Sequence, residues 1–142
     1  MSRPLYLSVI VSALFLLLAF PVLARTPAPE GVQAYIISPA DGETVSSPVN
    51  IKFGLQGMGV APAGIDKDKT GHHHLLIDVE TPPAQDKPIP SDNQHKHFGG
   101  GQTEAWIELP PGKHTLQLLL GDKDHVPHQP PVMSRPISIT VK

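Results

Sequence analysis

His72-His73-His74-Leu75-Leu76-Ile77-Asp78-Val79 is the stretch on which the reading of this chain turns. Three histidines run straight into an apolar segment with strand-like patterning. Successive side chains of a strand point to opposite faces. His72, His74, Leu76 and Asp78 therefore share one face, and His73, Leu75, Ile77 and Val79 share the other. The second set is the more apolar. It predicts that His73 turns inward to the core and leaves His72 and His74 as an outward pair.

Working outward, the same period of two recurs on both sides. Gln33 to Ser38 reads as a strand, followed by the turn Pro39-Ala40-Asp41-Gly42. In the next strand Val49, Ile51, Phe53 and Leu55 alternate with Asn50, Lys52 and Gly54, the signature of a half-buried strand. Gly57 to Gly71 reads as a solvated loop. Beyond the triplet, Thr81 to Gln102 is a long loop holding His95-Lys96-His97-Phe98 and Gly99-Gly100-Gly101. Thr103 to Leu109, His114 to Leu120 and Met133 to Val141 complete the strands. Trp106 is read as core or strand surface. No helix-length amphipathic pattern occurs from residue 25 onward, and prolines and glycines punctuate the segments at turn spacing. The expectation is an all-β, immunoglobulin-like β-sandwich of about seven strands.

That topology predicts where the histidines go. The strand starting at His72 descends from one end, and the 114–120 strand antiparallel to it ascends to that same end. The following loop carries His125 and His128. The 80–102 segment must climb back before Thr103, which brings His95 and His97 toward the same end. His72, His74, His95, His97, His125 and His128 are therefore the candidate metal ligands, supplied by three separated segments. Imidazole nitrogen suits copper(II) or zinc. Asp78 is a weaker candidate, and Asp122 and Asp124 are candidate carboxylates for orienting an imidazole N–H. His114 follows a Pro-Gly corner and is read as structural, bonded to nearby backbone.

Composition removes other classes. There is no cysteine, which excludes thiol proteases, cysteine-ligated iron–sulfur clusters and blue-copper centres. Met1-Ser2-Arg3, the apolar run Leu5 to Phe20, and Val22-Leu23-Ala24 read as a signal peptide cleaved after Ala24. A run of roughly 16 residues is short for a bilayer core of about 30 Å. The expected divisions are a signal peptide at 1–24, a flexible leader at 25–32 and one domain at 33–142. The product is periplasmic or secreted, with no membrane span after cleavage. From Arg25 onward the chain is mildly acidic, which gives no footprint for nucleic acid.

Two other readings compete with a metal carrier. One is a non-catalytic module that grips a cell-envelope protein partner, its histidines forming a structural hydrogen-bond network. The other is a metal hydrolase with Glu104 as general base. No G-x-S-x-G element supports a serine hydrolase, and the triple glycine lacks the strand–loop–helix and Lys-Ser/Thr of a phosphate cradle.

The motifs at residues 72–78 (HHHLLID), 95–104 (HKHFGGGQTE), 109–118 (LPPGKHTLQL) and 121–128 (Gly-Asp, then His-Val-Pro-His) resemble those of the bacterial domain-of-unknown-function 4399 family. The resemblance spans roughly 36–141. It implies an exported protein and no particular activity.

Overall fold

The computed structural model describes residues 24–142. Except for Ala24, the expected signal peptide lies outside the described residues. The elements run β1 (Gln33–Ser38), β2 (Thr44–Val45), β3 (Val49–Gln56), β4 (Gly59–Val60), β5 (Thr70–Ile77), β6 (His95–His97), β7 (Glu104–Ile107), β8 (Gly112–Gly121) and β9 (Ile137–Val141). No helix occurs among the described residues, and so none is long and apolar enough to cross a membrane.

The strands form two open sheets. One has the order β1-β3-β7 and the other β2-β9-β8-β5-β4, with β6 also paired to β5. This is a β-sandwich, and its partition of strands is that of the immunoglobulin arrangement. Between the sheets lies one core. Ile51 and Phe53 of β3 meet Leu75 and Ile77 of β5, Leu116, Leu118 and Leu120 of β8, and Ile139 and Val141 of β9. Each of these side chains contributes on the order of 1.5–3 kcal/mol by leaving water. With no disulfide available, that burial carries the stability.

The alternation holds as the sequence predicts in β3 and in β5 as far as Ile77, but β5 ends there, and Val79, expected on the core face, packs instead beside Leu76 and Leu119. Three short strands were not foreseen, the first being β2, which pairs in parallel with β9. β4 pairs in parallel with Thr70 and Gly71 inside the expected 57–71 loop. β6 pairs antiparallel with β5 inside the 81–102 loop. At two or three residues, none of them is long enough to show a period. Met133 makes only an isolated bridge to Leu119, so β9 starts four residues later than expected. Trp106 is on the surface, 68% exposed.

The outward face of β5 is not open to solvent. His72 is 0% and His74 1% exposed, because β6 and the loops around residues 89 and 125 cover it. Leu76, Ile89 and Leu119 make a second, smaller apolar cluster on this side. The segment 25–32, expected to be a flexible leader, instead lies along the loop after β8. Ala28 N donates to the Gln129 carbonyl and Gln129 N to that of Thr26, both at 2.9 Å.

Candidate metal centre

Three structural elements bring four histidines together. β5 places His72 and His74 two residues apart, hence on one face. β6 runs antiparallel to β5 in a register that sets His97 directly opposite His74. The loop leaving β8 returns over the same face and delivers His125, whose backbone adopts φ 68°. The His72 ring centroid is 4.8 Å from that of His74, 5.1 Å from His97 and 5.0 Å from His125. His97 lies 5.1 Å from His74 and 4.7 Å from His125. The pair His74–His125 is the widest, at 6.2 Å.

His72, His74 and His97 each offer one ring nitrogen, and these atoms lie within 4.8 Å of one another. A tetrahedral zinc with bonds of about 2.1 Å sets its donors roughly 3.4 Å apart. The cluster is thus wider than a bound ion would set it, and ligation would have to draw the three nitrogens together. The two β5 histidines form a buried floor, while half-buried His125 and exposed His97 form a rim open to solvent.

Both ring nitrogens of His72 and of His74 are buried without a hydrogen-bond partner. Such groups ordinarily find partners in a folded protein, because leaving one unpaired costs about 1–3 kcal/mol. Burial, then the neighbouring His125 and His97, lowers His72 to a pKa of about 4. Burial first and the adjacent imidazoles second lower His74 to about 3. His97 is lowered by its burial and by His125. Lone pairs on the two floor rings are thus free of protons at neutral pH, as metal ligands require. Asp122 acts on His72 in the opposite sense, its carboxylate favouring positive charge there.

The remaining predicted residues lie elsewhere. His95 pairs with Leu76 in register, beyond His97, and its Nδ1 bonds Asp92 Oδ1 at 2.8 Å. His128 is buried, with Nε2 3.3 Å from the Thr70 carbonyl oxygen. His73 turns inward, as expected, its ring 5.2 Å from Phe53. His114 is structural in the predicted way, with Nε2 on the Pro110 carbonyl at 2.8 Å. Asp78 is not beside His74. It follows the end of β5 at φ 55° and bonds His114 Nδ1 at 2.7 Å. Glu104 is an exposed residue of β7, paired with Lys52 of β3 in the sheet that does not carry the histidines.

Asp122 does not orient an imidazole. Its Oδ1 accepts the backbone N–H of Asp124 and of Val126 at 2.9 Å, while Oδ2 accepts Thr26 Oγ1 at 2.7 Å. It shapes the loop that carries His125. Asp124 is exposed, 3.9 Å from Lys123 Nζ.

Two glycines that the sequence reading did not connect to the site make room for its rings. A Cβ on Gly121 would lie 2.8 Å from His74 Cε1 and 3.3 Å from His125 Cα. A Cβ on Gly99 would lie 2.4 Å from His97 Cε1. The first obstacle is a buried ring and backbone, the second the end of an exposed side chain. Gly121→Ala is therefore expected to cost about 1–3 kcal/mol in urea unfolding, the usual range for overpacking. Gly99→Ala should cost less and shift the His97 ring resonances. Equal stability losses in the two variants would contradict this division.

No curated protein matches the chain, and no solved structure does. A family model does match, over residues 51–142, the part that holds all eight histidines, and the chain thus belongs to the family described as Domain of unknown function (DUF4399).

Proposed function

We propose that this protein is an exported carrier or buffer for copper or zinc, holding one ion through His72, His74 and His97, with His125 as a fourth donor. One observation carries the reading: two buried imidazoles, unpartnered at every nitrogen, converge with a third on a common point. A structural hydrogen-bond network would satisfy those nitrogens, as it does for His95 and His114. A bound cation supplies a partner for one nitrogen of each ring. The donor set is neutral and imidazole-only, the class that suits copper(II) and zinc and disfavours magnesium and calcium. Asp122 supplies nearby negative charge without occupying a coordination position. The exposed rim at His97 gives an ion a way in and out, which fits a carrier better than a closed structural site.

The test is titration of the purified, tag-free, metal-stripped protein with copper(II) and with zinc, followed by elemental analysis. One ion per chain is expected. His97→Ala lies on the rim and leaves the buried floor in place. It should weaken binding by about tenfold or more, equivalent to roughly 1.4 kcal/mol or more. His95→Ala, its control two residues away, should change affinity little. Binding no tighter than that of an ordinary histidine-bearing surface, or equal loss in both variants, would remove the basis for the metal reading.

A further inference from the structure

We infer that Arg25 and Thr26 are positioning residues for His125, acting as a strap across the loop that delivers the fourth imidazole. The inference deepens the proposed metal site and rests on that reading for its functional consequence. His125 is the one member of the cluster not held by a β-strand. Its own backbone makes two bonds, its N–H to the Asp122 carbonyl and its carbonyl from Ile89 N, both at 2.9 Å. The rest of the loop is held by Asp122 N–H on the Val126 carbonyl, by Gly64 N–H on the Lys123 carbonyl and, over residues 122–129, by the segment that precedes β1.

Arg25 Nε donates to the Pro127 carbonyl at 3.1 Å, and the other guanidinium nitrogens donate to the His128 carbonyl and to Gln129 Oε1. Thr26 Oγ1 donates to Asp122 Oδ2, while Asp122 Oδ1 holds the N–H groups on either side of His125. Pro27 continues the contact as a parallel bridge to Gln129. Every one of these bonds falls on residues 122–129, and none falls on the strands that carry His72, His74 and His97. A residue at φ 68° also needs its surroundings to hold it, since a side chain other than glycine rarely adopts that conformation unaided. Among the four imidazoles of the cluster, releasing the strap therefore removes support only from His125. It converts a four-imidazole site into a three-imidazole one with the floor intact. Cleavage after Ala24 would leave both strap residues in place.

The test compares the wild type with Arg25→Ala/Thr26→Val, with His125→Ala and with all three substitutions combined. In the metal-free strap variant, amide exchange at residues 122–129 should accelerate while β5 and β8 stay protected, and the His125 ring resonances should move. Copper(II) affinity should fall about tenfold, within the range seen when groups supporting a ligand are removed. Pulsed EPR should count one fewer coordinated imidazole, as in His125→Ala, and the combined variant should lose nothing more. Arg25 with Thr26→Ser, which keeps the hydroxyl, should behave as wild type. An unchanged imidazole count in the strap variant, or losses that add to those of His125→Ala, would overturn the inference. If the wild type takes up no copper, the metal reading fails on its own. The strap is then judged on the metal-free His125 resonances, and their constancy would overturn it.

Discussion

Kept free of metal by a chelator, the protein should lose much of its stability between pH 6.5 and pH 4. His72 and His73 are held at about 4 and His74 at about 3, in each case mainly by burial. In the unfolded chain all three return to about 6.5. Below that pH the unfolded state binds protons that the folded state refuses, so stability falls as pH falls. The contribution is intact above 6.5 and is lost progressively toward pH 4, and for His74 toward pH 3. One ring depressed from 6.5 to about 4 is worth on the order of 3 kcal/mol at 1.36 kcal/mol per pKa unit. The three rings titrate together, so their effects do not simply add. Even one such loss is large against a total of about 5–15 kcal/mol.

His114 works in the other direction. Burial pulls its pKa down, but the Asp78 carboxylate and the Pro110 carbonyl outweigh it and leave the pKa raised. Its contribution is complete below about 6.5 and declines as pH rises through the raised value. It softens the acid loss without cancelling it, being one group against three. Urea midpoints at pH 7, 5.5 and 4.5 in chelator test the balance. A midpoint that stays level across that range would show that the triplet is not buried as described.

The parts of the fold with a long enough period could be read directly from the sequence. β3 and β5 each run eight residues, so their alternation was sufficient to assign faces, including the inward turn of His73. β4 and β6 carry too few residues for a pattern and depend on β5 for their pairing. Antiparallel order was enough to predict that His97 and His125 approach the triplet. It could not separate His97 from His95, because that distinction rests on a register in which His97 faces His74 and His95 faces Leu76. His128 differs from His125 by a loop conformation fixed through Asp122, which the sequence presents only as one acidic turn residue among several. Burial of the supposedly outward face was also hidden. It depends on the loops carrying Ile89 and His125 arriving from distant segments to close over Leu76, Leu119 and the β5 histidines. Arg25 and Thr26 were missed because a Pro-rich stretch without periodicity carries no sign of what it docks against.

Replacing His73 with leucine is expected to make the metal-free protein more stable at pH 7 while leaving metal uptake unchanged. His73 is 0% exposed, faces Phe53 across the core and has no hydrogen-bond partner for either ring nitrogen. Leaving such polar atoms unpaired costs about 1–3 kcal/mol, and an apolar side chain of similar volume removes that cost. Imperfect repacking against Phe53 usually costs less than about 1.5 kcal/mol. The net expectation is a gain on the order of 1 kcal/mol, together with a weaker acid transition because one depressed imidazole is gone. His74→Leu should also relieve unpaired nitrogens in the metal-free protein, but it removes a floor donor and should abolish tight binding. The two variants thus separate burial from ligation within two residues of one strand. They point to opposite faces, so the same chemical change has the same sign for stability and different consequences for metal. If His73→Leu were instead to destabilise the protein by more than about 1 kcal/mol, its ring would have to be making a favourable polar contact within the core. If it lost metal binding while remaining folded, the two faces of β5 would not be independent.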